Sequence, residues 1–184
     1  MKKVYILLTY TGTVLSKVIK IYTRDEFSHV SISLDKELNK LYSFGRLNPY
    51  NPFIGGFVHE GIHHGTFKRF KKTRSFLYSL EVTNKEFYEI NKIIKKISKN
   101  REKYHFNILG LFLVAFKRKR NKKDYFYCAE FVKFILEKSG GVKSLPEIIK
   151  PDDFLNVNNK KIEYKGLLSE YMKKARFYEM HPIG

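Results

Sequence analysis

At 184 residues the chain is long enough to bury a core without staples, and its single cysteine excludes an internal disulfide. Lys and Arg number 36 against 18 Asp and Glu, a formal net charge of +18, which favours anionic partners. The basic residues are scattered and mostly lysine, the pattern of a solvated surface. The expectation is therefore nonspecific association with anionic polymers or membranes and no specific nucleic-acid site, while the oligomeric state is not readable.

The opening MKKVYILLTY has two lysines and an apolar run that imitates a secretory leader, but the run is short and no small-residue cleavage site follows. Residues 3 to 9 read as a first strand. Thr11-Gly12-Thr13 turns the chain into an amphipathic helix from Val14 to Tyr22, with Val14, Val18, Ile19 and Tyr22 at helical spacing. His29 to Leu34 alternates with period two: Val30, Ile32 and Leu34 share one face, and His29, Ser31 and Ser33 share the other. After a polar turn, Leu41 to Phe44 returns as the partner strand of a hairpin. Residues 45 to 67 are rich in Gly, Pro, Asn and His and read as a long irregular excursion.

Phe76 to Val82 is another alternating strand. Thr83-Asn84-Lys85-Glu86 is a capping box opening a helix to about Lys99, with Phe87, Ile90, Ile94 and Ile97 on its core stripe. A second apolar helix covers about 107 to 116, and the basic run Lys117 to Lys123 is a solvated connection. The stretch DYFYCAEFVKFIL then places the cysteine at the start of a helix stopped by Ser139-Gly140-Gly141. Pro151 to Leu155 reads as a short capped turn and Ile162 to Tyr164 as a last strand. No apolar run reaches the about 20 residues of a membrane-spanning helix. Without repeats or linkers, residues 1–184 are expected to form one α+β domain, and the lone thiol suits a reducing, cytoplasmic location.

Two readings of Cys128 compete. It falls on the inward edge of the stripe Phe131, Val132, Ile135 and Leu136, where a small thiol is commonly inert packing. It also occupies the first turn of a helix, where free N–H groups and the positive dipole end favour a thiolate and can polarise a carbonyl. A histidine changes the balance. His29 heads a strand on its polar face, where its ring can enter a cleft and serve as the base a thiol needs. A third polar group to orient it is expected on the partner strand: Ser43, with Tyr42 or a backbone carbonyl as alternatives. Tyr10, at the end of the first strand, is a candidate cleft residue.

The strand SHVSISLD, the return LYSFGR and the later helix start YCAEFV together resemble the circularly permuted papain-like enzymes of the NlpC superfamily, in particular the YiiX-type group. There the His strand precedes the Cys helix, as it does here and in the lecithin retinol acyltransferases. The resemblance runs from about residue 4 to 155. It implies an antiparallel sheet packed against helices that include the Cys-bearing one. It also implies a cysteine hydrolase (amidase, peptidase or acyl-transfer type) acting through an acyl-enzyme without cofactor, on a peptide, amide or acyl substrate such as peptidoglycan-derived peptides. Cys128 becomes the nucleophile and His29 the base. Ser43 lies where many members carry a Glu, His or other polar orienting group. Glu130 matches the acidic position after the cysteine and is expected to cap the helix or bind substrate.

Two other function classes compete with this one. The first is a basic binding protein for anionic polymers or nucleic acid with a vestigial cleft. The second is a zinc hydrolase, because His59, Glu60 and His63 spell H-E-x-x-H, although that motif needs a helix and Gly55, Gly56, Gly61 and Gly65 punctuate this segment.

Overall fold

A computed structural model of the chain describes residues 1–48, 51–62, 65–116, 118 and 122–173. Its centre is β1 (Lys2–Tyr10), whose run of apolar side chains is buried on both sides. Strands β2 (His29–Ser33), β3 (Leu41–Asn48) and β4 (Asn51–Glu60) extend the sheet in one direction, and β5 (Arg74–Val82) and β8 (Lys160–Leu167) extend it in the other. The order is β4-β3-β2-β1-β5-β8 with every neighbouring pair antiparallel. Sequential strands mostly lie side by side, so α+β is the architecture. Among the described residues no helix is long and apolar enough to cross a membrane.

The two faces of the sheet carry two cores. Val4, Ile6, Leu8, Val30, Ile32, Phe44 and Tyr78 face α3 (Asn84–Lys99) and α5 (Cys128–Ser139). Tyr5, Leu7, Leu41 and Leu77 face Ile62, Phe67 of α2 (Gly65–Arg69), and Leu168 and Tyr171 of a helical segment at 168–173. Each fully buried Leu, Ile or Phe contributes about 1.5–3 kcal/mol.

Helix α3 forms where its sequence says it should. Thr83 Oγ1 accepts from Glu86 N (3.2 Å) while Glu86 Oε2 accepts from Thr83 N (2.7 Å), and Ile90, Ile94 and Ile97 are buried one turn apart. Helix α5 ends at Gly140, whose φ of 84° only glycine adopts without strain. The apolar stretch ahead of the basic connection forms α4 (Ile108–Leu113), capped by the Asn107 side chain, and continues as a 3-10 turn, Val114–Phe116. Within that connection, residues 117 and 119–121 lie outside the described residues. A two-residue parallel pair, β6 (His105–Phe106) with β7 (Tyr125–Phe126), closes it and sets the starts of α4 and α5 side by side. The remaining turn and last strand form as a 3-10 segment, Pro151–Asn156, and β8.

Two expectations are corrected. The stretch 45–67 is not an irregular excursion: β3 runs on to Asn48, β4 pairs back along it, and α2 follows. The glycines that read as loop residues permit close packing within strands. A Cβ on Gly55 would stand 2.8 Å from both the Gly45 carbonyl oxygen and Cγ of Phe106. The second correction concerns α1 (Val14–Thr23), capped by Thr13. Of its expected stripe only Ile19 is buried, together with Ser16. Val14 and Tyr22 point outward, 81% and 53% exposed.

Candidate active site

Cys128 is the first residue of α5 and is 4% exposed. The Tyr127 hydroxyl donates to the Ile149 carbonyl (2.8 Å), which anchors the residue just before it. Glu130, in the first turn, accepts from Tyr127 N and from Asn107 Nδ2, both at 3.2 Å. Glu130 therefore caps the helix, and it lines a separate depression alongside Phe134 and Glu137 rather than the cleft that contains the thiol.

His29 begins β2 directly opposite Thr9 of β1. Its Nε2 lies 2.7 Å from Glu60 Oε1, and the ring lines the same cleft as Cys128, whose charge acts on it. With Nε2 taken by the carboxylate, Nδ1 is the nitrogen left for sulfur. Glu60 Oε2 is held in turn by the Ser31 hydroxyl, two residues along β2 on the same side as His29. The trio is sheltered yet reachable, with side-chain exposures of 21% for His29 and 13% for Glu60.

Charge on this trio favours the protonated ring. Burial pushes the His29 pKa down, but the Glu60 carboxylate, the influence of Cys128 and the hydrogen bond to Glu60 outweigh it. The pKa rises from 6.5 to about 10. The arrangement can therefore hold an imidazolium between a carboxylate and a sulfur at neutral pH.

Ser43 does not orient His29. Its hydroxyl is buried and donates to the Val30 carbonyl at 2.8 Å. Continuing the β2–β3 register places Ser43 opposite Ser31. The orienting carboxylate comes from one strand farther out, on β4, where Glu60 pairs opposite Leu41. Tyr10 lies outside the cleft lining. Its ring is flanked by Lys20 Nζ at 4.8 Å and the Arg74 guanidinium at 5.1 Å.

His59 and Glu60 end a strand, so they diverge instead of sharing a helix face. The His59 ring stacks on Tyr42 (centroids 4.9 Å apart) and its Nε2 meets the Asn39 carbonyl at 2.7 Å. His63 lies outside the described residues. Among those described, no group of three or more His, Cys, Asp or Glu is placed to hold a metal ion. The zinc spelling is thus not built as the helix it requires.

A cleft of about 270 Å³ opens over Cys128, His29 and Glu60. Thr11, Thr13, Ser16 and Ile19 line one wall. Phe44, Leu47 and Val58 of the hairpin, Phe67 of α2, and Phe106 and Leu111 complete it. Most of these groups are apolar or hydroxyl-bearing, and among the described residues no Lys or Arg lines the cleft.

The turn at 149–154 fastens the His strand to the Cys helix. It receives the Tyr127 hydroxyl at Ile149 and the Tyr78 hydroxyl at Phe154 (3.0 Å). It also reaches the segment just before His29. The Asp152 carboxylate accepts from Glu26 N (2.5 Å) and Phe27 N (2.9 Å), and Lys150 Nζ pairs with the buried Asp25 carboxylate at 2.6 Å. Burial pushes the Asp25 carboxyl up against the pull of Lys150. Neither this clasp nor the roles of Glu60 and Ser31 are legible in the sequence. The one available signal for Glu60 was a carboxylate closing a strand-length segment after the hairpin. Compared with family models, curated proteins and solved structures, the chain matches none.

Proposed function

We propose that this protein is a cysteine hydrolase or acyltransferase of the permuted papain-like kind, with Cys128 as nucleophile, His29 as base and Glu60 as the group that orients and charges His29. The observation that carries the proposal is the His29 ring bonded to the Glu60 carboxylate in the same cleft as a thiol at a helix start. The chain order, His strand before Cys helix, and the packing of α5 on an antiparallel sheet support the same reading.

In the reaction, His29 holds the thiol proton and the Cys128 sulfur attacks the substrate carbonyl carbon. The oxyanion is held by first-turn amides of α5, where those of Cys128 and Ala129 have no acceptor within the helix. Collapse breaks the bond to the amine or alcohol, which leaves with the His29 proton, and a thioester to Cys128 remains. A water or an acceptor hydroxyl or amine then gives a proton to His29 and attacks the thioester. The sulfur is released and takes that proton back. Peptidoglycan-derived peptides and other peptide, amide or acyl substrates fall within this chemistry. A neutral apolar or hydroxyl-bearing acyl portion suits the cleft lining.

The test is labelling of Cys128 by an electrophilic amide or a fluorophosphonate-free acyl probe. Rapid labelling that is lost in His29→Ala supports the proposal. Labelling no faster than that of a free thiol, and indifferent to His29→Ala, overturns it.

A further inference from the structure

The outer faces of α1, α4 and the 3-10 turn that continues α4 are apolar where a wall over a cleft would ordinarily be polar. Val14 is 81% exposed, Ile21 73%, Tyr22 53%, Leu109 48% and Phe116 68%. Tyr22 packs edge-on against Phe112 with centroids 6.3 Å apart, so the two helices present one continuous surface. The inner faces of the same two elements, through Ser16, Ile19 and Leu111, line the cleft above Cys128. The other exposed large apolar side chains among the described residues, Met1, Leu47, Tyr88, Phe134 and Ile162, each lie singly on a different strand, helix or terminus. An apolar face of this extent on an otherwise charged protein marks a binding surface.

Its charge surroundings identify the partner. Helix α1, VLSKVIKIYT, carries Lys17 and Lys20 and no acid, and is followed by the exposed Arg24. The stretch ILGLFLVAF has no charged residue, and the chain runs from Phe116 directly into KRKRNKK. Apolar side chains flanked by lysine and arginine, without carboxylates among them, match the boundary of an anionic bilayer. There the apolar side chains enter the acyl region and the cations stay among the headgroups.

We infer that the surface formed by α1, α4 and the 3-10 turn after it, centred on Ile21, Tyr22, Phe112 and Phe116, docks this protein on anionic lipid membranes with the Cys128 cleft beside the bilayer. This binding does not depend on the proposed thiol chemistry.

The experiment is co-sedimentation of the full chain with vesicles of phosphatidylcholine mixed with phosphatidylglycerol, and with vesicles of phosphatidylcholine alone. Binding to the mixed vesicles that weakens with added salt is expected. Ile21→Asp combined with Phe116→Asp should reduce the partition coefficient by at least about 100-fold, from the apolar burial those side chains lose. The far-UV spectrum and melting temperature of that variant should stay unchanged. If it does not fold, Val14→Asp and Lys17→Glu, both at exposed positions, should each weaken binding. Cys128→Ala should bind as the wild type does, so a failure of the catalytic reading leaves this result standing. Three outcomes overturn the inference: no binding to anionic vesicles, binding indifferent to these substitutions, or a wild-type dimer in solution that the double substitution converts to monomer.

Discussion

Replacing Glu60 by Gln removes one negative charge from His29 while keeping a side chain of the same size that can still accept a hydrogen bond from Nε2. At about 1.36 kcal/mol per pKa unit, the rise of His29 from 6.5 to about 10 amounts to roughly 5 kcal/mol of preference for the imidazolium. Glu60 and Cys128 supply it against the opposing effect of burial, and the Glu60 charge is the largest of the raising contributions. A hydrogen bond to a charged group is worth about 1.5–3 kcal/mol. Glu60→Gln should therefore shift the His29 protonation equilibrium away from the imidazolium by roughly 10- to 150-fold. The assay has two readouts: the rate of Cys128 alkylation by iodoacetamide as a function of pH, and the His29 ring titration followed by NMR. The wild-type ring should stay protonated through neutral pH and release its proton near 10. In Glu60→Gln that midpoint should fall and alkylation at neutral pH should slow. A His29 midpoint that is the same with and without the carboxylate would refute the assignment of Glu60.

The same His29 pKa governs stability. Because the folded value is raised above the ordinary one, its contribution is complete below about pH 6.5 and is lost as pH rises through about 10. The urea midpoint should fall across that window in the wild type and much less in His29→Gln. Phe44 is fully buried against Phe131, Phe126 and Phe57, with ring centroids 5.1, 5.4 and 6.0 Å away. Phe44→Ala should cost about 3–5 kcal/mol in chemical denaturation. Lys150→Met leaves the Asp25 carboxylate, 5% exposed, without its cation. Since Lys150 itself is a third exposed, the cost should be about 2 kcal/mol, below that of a fully buried pair. The clasp before His29 should loosen with it, seen as faster amide exchange at Glu26 and Phe27.

Local patterns determined much of this protein directly from its sequence. The Thr83–Glu86 box and the isoleucines one turn apart specify α3, Gly140 stops α5, and the alternation after His29 specifies β2. Capping, turn chemistry and periodicity act over a few residues, so they can be read in one dimension. The same signals placed Cys128 at a helix start and His29 on a polar strand face, and folding brings these two together. Only the tertiary structure decided what lies across strands. Glu60 becomes the partner of His29 because β4 pairs along β3. That register depends on Gly55 tolerating the close approach of Phe106, a residue 51 positions downstream. Ser43, the local candidate, is instead turned onto the Val30 carbonyl. Periodicity shows that α1 has an apolar stripe but not which way the stripe faces. The choice is made by what the rest of the chain leaves to be covered: Ser16 and Ile19 turn in over the cleft, leaving Val14, Ile21 and Tyr22 outside.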